Sequence, residues 1–402
     1  MILNKGRYTY EASLKSQLTI LRFSRQLPRD CAPPFYSGSC SGSSLRHPHH
    51  VFQDGPRIAQ NYSVTVYPVL VNTLGRFSGL FPFSLSEAGL YLTGVFCIIS
   101  IVLLFKRPLC SLARVFFYAC LLLFLFTINC GINYYRSPFS YEAGMVMEQS
   151  STEELYSLCL FLTSQVNSSL EEVDHSTDFL SGLYPGQTED TPLPAMSALR
   201  EMGLEGVTAM NNLGASYAQL DGYYPYPKPL MNPRLLSIQQ LCGIYSPFTI
   251  EANYNREMPY YNIPHTICHE LSHLKGFMRE DEANFIGYLA CIGSQSSDFR
   301  YSGYLTGWVY AGNALAKVDL EAYYELYGML SPKAAQDLKW NNQFWDQYDG
   351  KVAEASTQLN DRYLKAHSQE DGVRSYGRMV DLMLAYYREA LEEEKIDPDL
   401  HS

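Results

Sequence analysis

From Asn262 the chain reads NIPHTICHELSHLKGFMREDEANFIGYLAC, and His269, Glu270 and His273 within it form an HExxH pattern. Two imidazoles four residues apart lie one turn apart on a helix, where both can ligate a single Zn²⁺; the Glu between them can take a proton from water without ligating the metal itself. That chemistry requires a helix. The flanks predict one from Pro264 to Gly276, since proline suits the first turn of a helix and glycine the position past its end. Ile263, Ile267, Leu271 and Leu274 recur at helical spacing, giving an apolar stripe for the core with His269, Glu270 and His273 on the other side.

Catalytic zinc usually takes three protein ligands. After Gly276 come Glu280, Asp281, Glu282, Ala283 and Asn284, which predict the start of a second helix. Acidic residues there also suit the positive end of the helix dipole, so their presence alone does not assign a ligand. If this helix folds back antiparallel, Glu280 and Asn284 at i+4 face the histidines, and the small residues Ala283 and Gly287 permit close approach. Glu282 points about 200° away from Glu280. Spacing therefore favours Glu280 over Glu282 as the third ligand, with Asn284 orienting a histidine ring from behind. His265, one turn before His269, reads as a helix-start residue or an outer partner of the site. A developing oxyanion needs a donor, and Arg300, Tyr301 or Tyr304 in the FRYSGY segment offers one; ordinary packing or a surface ion pair explains each of them equally well. Residues 243–255 (GIYSPFTIEANYN) read as one extended segment that Pro247 confines to a sheet edge or a bulge, where a peptide could add as a further strand.

The elements that position these residues divide the chain in two. Residues 88–105 form an uncharged apolar run, and a second run spans 109–132 with one charge, Arg114, near its start. Each is close to the roughly 20 residues that cross a bilayer as a helix. Joined by Lys106, Arg107 and Pro108 they predict a transmembrane hairpin within a membrane region over 51–136. The basic turn, by the positive-inside rule, predicts that the following domain lies outside the cytoplasm. Seven further Lys and Arg precede residue 50, which a two-helix hairpin leaves on the same side as that domain. Residues 1–50 read as a disordered leader, with no apolar core of a secretory signal. Residues 1–136 carry 13 Lys and Arg against 4 Asp and Glu, whereas 137–402 carry 17 against 37. The second part thus lacks the clustered cations that nucleic-acid phosphates demand, and no nucleic-acid partner is expected. The ten cysteines show no CxxC pair, so a cysteine zinc site is not expected, and buried free thiols are favoured over disulfides. Ser151 and Glu154 predict a capping box, Pro185-Gly186 and the proline-rich 223–233 predict loops, and helices are expected from Ser331-Pro332 and over 376–395. The fold class expected is mainly α (α+β): the hairpin, then a helical domain over 137–402 with a small sheet or edge strand.

HELSH followed by EDEAN resembles the gluzincin arrangement, in which HExxH is completed by ExxxD or ExxxN on the next helix; matched residue by residue, this implies Glu280 as ligand and Asn284 as its outer partner. PFSLSEAGLYL, IYSPFTIEANYN, HELSHLKGFMREDEANF, FRYSGYL and DGVRSYGRMVDL together resemble the bacterial membrane family known as domain of unknown function 3810, over roughly residues 51–392. That likeness implies a membrane-anchored zincin-like domain, and zinc bound at HExxH would in turn predict hydrolysis of a peptide or protein substrate. The gap from His273 to Glu280 is shorter than in most gluzincins, and residues 1–50 match nothing in the family. A membrane sensor or assembly factor with a structural zinc site, and an interaction protein with no metal, stand as the alternative functions.

Overall fold

The computed structural model describes residues 57–175, 188, 191–356, 358 and 377–392; the leader, the Pro185-Gly186 loop and the ends of the last expected helix lie outside them. A helical stretch over 62–79, here α1, contains two π-helical turns. Ser84 then caps α2 (Leu85–Leu104), its hydroxyl accepting from the Glu87 N–H at 3.0 Å. Pro108 opens α3 (Pro108–Phe126), which continues through π and 3₁₀ turns to Tyr135, past the expected end at 132. The hairpin satisfies its polar groups internally: the Ser111 hydroxyl donates to the Ser100 carbonyl at 2.7 Å, and the Thr93 and Tyr118 hydroxyls meet at 2.6 Å. Ile98, Phe116 and Phe117 are meanwhile more than half exposed. Both helices are long and apolar enough to cross a membrane, and only 11% of each apolar window is buried. They are therefore not core helices of the domain that follows.

That domain is mostly helical. Ser151 and Glu154 make the reciprocal capping box at the start of α4 (Thr152–His175): the Ser151 N–H donates to Glu154 at 2.7 Å and the Glu154 N–H to the Ser151 hydroxyl at 3.1 Å. Then follow α5 (Met196–Ser216), strands β1 (Lys228–Pro229), β2 (Gly243–Ser246) and β3 (Glu251–Tyr254), and helices α6 (Asn262–Leu274), α7 (Glu280–Ile292), α8 (Ser297–Val318), α9 (Leu320–Met329), α10 (Pro332–Asp346) and α11 (Arg378–Glu392). Ser331 caps α10 with Pro332 at its first position.

The sheet order is β1-β3-β2, with β3 central, β1 parallel to it and β2 antiparallel at an edge. The single extended segment expected over 243–255 is corrected to a hairpin. Pro247 has no N–H to offer a ladder, and the chain reverses through 247–250 with Ile250 at φ +51°, a rare conformation for a β-branched residue. Ile250 is held there by complete burial beside α1, where a Cβ at Gly75 would lie 3.5 Å from its Cγ2.

Helix α6 lies at the centre. Ile263, Ile267, Leu271 and Leu274 are all fully buried, each side chain stabilising the fold by about 1.5–3 kcal/mol. Helix α5 approaches so closely that a Cβ at Gly206 would stand 2.3 Å from the Ile267 side chain.

The membrane-type hairpin is fastened to the sheet by buried charge. Glu251 on β3 accepts from the Leu85 and Ser86 N–H groups at 3.1 and 2.8 Å, the first turn of α2. Its further partners are the Thr249 hydroxyl at 2.7 Å and the Lys228 ammonium, which also donates to the Ser78 carbonyl at 2.7 Å; Lys228 and Glu251 are each 1% exposed. Glu87 in turn accepts from the Met231 and Asn232 N–H groups at 2.8 and 2.9 Å. Removing one partner of such a pair leaves an uncompensated buried charge, so Lys228→Met should destabilise the protein by about 3–5 kcal/mol, and the double variant with Glu251→Gln by less. Thermal unfolding of the detergent-solubilised chain, with Glu251→Gln alone as the second single variant, checks this; a double loss equal to the sum of the two single losses would show that the pair is not coupled.

Candidate metal centre

The site is built on α6 and α7. Gly276, at φ +88°, turns the chain between them in the left-handed region that glycine enters without strain. Across this turn α7 returns against α6, and its close approach is set by Gly287: a Cβ there would lie 3.2 Å from the His269 backbone nitrogen and 3.3 Å from His265 Nε2. The first turn of α7 thus faces the histidines.

Glu280 reaches both of them. Its carboxylate oxygens stand 3.3 Å from His269 Nε2 and 3.6 Å from His273 Nε2, and candidate donor atoms of the three residues lie within 4.8 Å of one another. A tetrahedral ion at about 2.0–2.1 Å from each donor would set its ligands roughly 3.3–3.4 Å apart, close to these separations. The hydrogen bonding also fits. His273 Nδ1 donates to the Phe277 carbonyl at 2.7 Å, which leaves the Nε2 lone pair turned to the shared point. The Asn284 side chain lies beside the His269 ring and contributes to the upward shift of its pKa, and the Asn284 carbonyl is 3.0 Å from His265 Nε2. His265 is thereby an outer partner, buried behind the pair.

Charge is balanced among these groups. Burial pushes the Glu280 carboxyl upward, but its hydrogen bond to His269 and the positive potential of both rings outweigh that and hold it at about 2. Burial pulls His273 down to about 4 despite the Glu280 charge. It pulls His269 down as well, but there Glu280 and Glu270 prevail and the net shift is upward.

Glu270 stands apart from the cluster. Burial drives its carboxyl up to about 8, only partly opposed by His269, and its Oε2 has no hydrogen-bond partner among the described residues. Strand β2 passes directly over it, with the Tyr245 N–H directed to its carboxylate. Gly243 makes this possible, because a Cβ there would lie 2.5 Å from Glu270 Oε1. A buried, half-satisfied carboxylate beside two ligand-spaced imidazoles is costly unless it has work to do.

Glu282 is elsewhere. It is 5% exposed and accepts from the Phe139 N–H and from Arg279, both at 3.1 Å, so it caps the short helix Phe139–Glu142 behind the site. Arg300, Tyr301 and Tyr304 are also turned from the cluster, which corrects their expected role as oxyanion donors. Arg300 pairs with Glu172 and the Ser294 and Gln295 carbonyls. The Tyr301 hydroxyl donates to Asp337 at 2.7 Å, and Tyr304 packs its ring against Phe161 and Tyr288. The face of α8 that lines the site instead carries Thr306, Val309, Tyr310 and Asn313. Confinement in this wall and the Glu280 charge push the Tyr310 phenol upward, so it keeps its proton at neutral pH. Its i, i+3, i+4, i+7 neighbours were the available sequence signal.

All of this opens into one cleft of about 900 Å³, walled by α6, α7, α8, the β2 edge and the end of α3. The eight described cysteines are free thiols, Cys268 and Cys291 buried between the site helices. Residues 62–384 match the family described as protein of unknown function DUF3810. The chain belongs to this family. No curated protein and no solved structure matches the chain. The DUF3810 match spans the hairpin, the sheet and all of the site residues named above.

Zinc affinity, measured by competition with a chromogenic chelator, separates the candidate ligands. Asn284→Ala should weaken binding by about 10–100-fold, as loss of an outer partner does, and Glu280→Ala by well over that. Glu282→Ala should keep the metal affinity of the parent; loss of zinc from that variant alone would reverse the assignment.

Proposed function

We propose that this protein is a membrane-anchored zinc peptidase of the gluzincin type, with His269, His273 and Glu280 holding the metal and Glu270 acting as general base. The observation that carries the reading is the meeting of Glu280 with both imidazoles at ligand spacing, beside a buried carboxylate with an unsatisfied oxygen. Zinc in this set would polarise a scissile carbonyl, lower the pKa of water and, as a nearby positive charge, draw the Glu270 carboxyl back towards its ionised form.

The chain's own groups supply the remaining steps. Glu270 takes a proton from the attacking water and passes it to the leaving amine, so that the amide bond breaks with a good leaving group. The Tyr310 hydroxyl, protonated and lining the same cleft as Glu270, donates to the oxygen on which charge develops. The outer edge of β2 offers backbone groups to an extended peptide, which it would align past Glu270 in the manner of strand addition. The two apolar helices anchor the domain, and the basic turn at Lys106 and Arg107 supports an extracytoplasmic placement under the positive-inside rule.

Two variants test this on a quenched peptide library. Glu270→Gln should retain zinc while hydrolysis falls by about 10²–10⁴-fold; undiminished turnover would exclude the mechanism. Tyr310→Phe should lower kcat by about 10²–10³-fold with little change in KM, whereas a change confined to KM would make Tyr310 a binding residue only.

A further inference from the structure

The cleft and the hairpin meet at one level. Helices α2 and α3 pack side by side through Thr93–Tyr118 and Ser111–Ser100, so their ends define a common slab. From Leu109 a helix needs about 20 residues to cross the roughly 30 Å hydrocarbon layer, which brings Asn129 to its far boundary. Phe126 and Cys130, on either side of that boundary, line the cleft. Asn129 is stitched to the strand edge: its amide donates to the Pro247 carbonyl at 2.7 Å, and its carbonyl accepts from the Tyr245 hydroxyl at 3.1 Å.

The rim is apolar where a bilayer would touch it. Ile244 on β2 and Phe248 in the hairpin turn line the cleft yet are 44% and 43% exposed. Just before α2, Phe77, Phe81 and Phe83 form an edge-to-face chain with centroids 5.5 and 5.8 Å apart. Phe77 and Leu80 in it are 58% and 77% exposed. Exposed aromatic and aliphatic side chains beside the ends of two lipid-facing helices are what an interfacial belt requires. A soluble peptide has no use for such a rim.

We propose that the substrate is a membrane-anchored polypeptide, bound through the extended segment that adjoins its own transmembrane helix, which enters over the rim at Ile244 and Phe248 and runs along the outer β2 edge. This rests on the peptidase reading for the bond cut, but its own content is where the substrate sits. The rim holds the enzyme's cleft at the headgroup layer, and only a chain emerging from the same bilayer delivers an extended segment at that height.

The test uses the full chain in nanodiscs, as Glu270→Gln with Phe248 replaced by a photo-crosslinking phenylalanine. The probe is a random decapeptide library placed directly after a polyleucine transmembrane helix, or raised on a rigid helical spacer of about ten residues, roughly 15 Å. Both forms have the same concentration in the bilayer, so height alone differs. Crosslinking is expected to fall by about tenfold or more with the spacer, as it does when a tether cannot deliver its ligand. Equal crosslinking at both heights, or none at either, overturns the inference. Cleavage by the parent enzyme is scored in parallel: height-dependent capture without cleavage supports the membrane-level site and removes the peptidase reading, whereas cleavage independent of height leaves the peptidase and removes the membrane-level substrate.

Discussion

Helix α6 can present two imidazoles and a carboxylate to a cleft because its opposite side is locked into the core by four fully buried aliphatic side chains. The rotation of the helix about its own axis is fixed by that stripe, and with it the direction of every functional group it carries. Gly206 lets α5 press against Ile267, Gly243 lets β2 run over Glu270, and Gly287 lets α7 approach His269. Each contact tolerates almost no added volume, so the positions of the ligands are determined by packing rather than by the ligands themselves.

The same closeness explains how charge is arranged. Five ionisable groups share a small volume, and burial alone would neutralise all of them. Glu280 stays ionised because two rings share it, and His273 keeps one tautomer because the Phe277 carbonyl takes its Nδ1 proton. Only Glu270 is left with a raised pKa and an idle oxygen. The result is one carboxyl pushed up by burial beside one carboxylate shared by two imidazoles, out of two glutamates on neighbouring helices.

Much of this was legible in the residues. The α6 stripe, the HExxH face, the Gly276 turn and the Ser151 and Ser331 helix starts follow from periodicity and end chemistry, and the facing of Glu280, rather than Glu282, to the histidines follows from helical pitch. What periodicity cannot supply is the phase of a helix whose partner is unknown. For α8 the FRYSGY segment was read as facing the site, but that face serves Asp337, Phe161 and Tyr288, and the cleft receives Tyr310 two turns later. The hairpin at 247–250 was also hidden, because a buried isoleucine at positive φ contradicts local preference and is held there by tertiary contact with α1.

The anchoring of α2 has a mechanical meaning. Glu251 holds the first amides of that helix from the central strand, and the strand's neighbour runs over Glu270. Two membrane-length rods are thus welded to the sheet through a buried charge contact instead of a flexible linker. Were the rods to span a bilayer as proposed, any tilt imposed by its thickness or lateral pressure would be transmitted as a rotation of the whole domain, and the angle at which the cleft meets the lipid surface would be a property of the surrounding membrane.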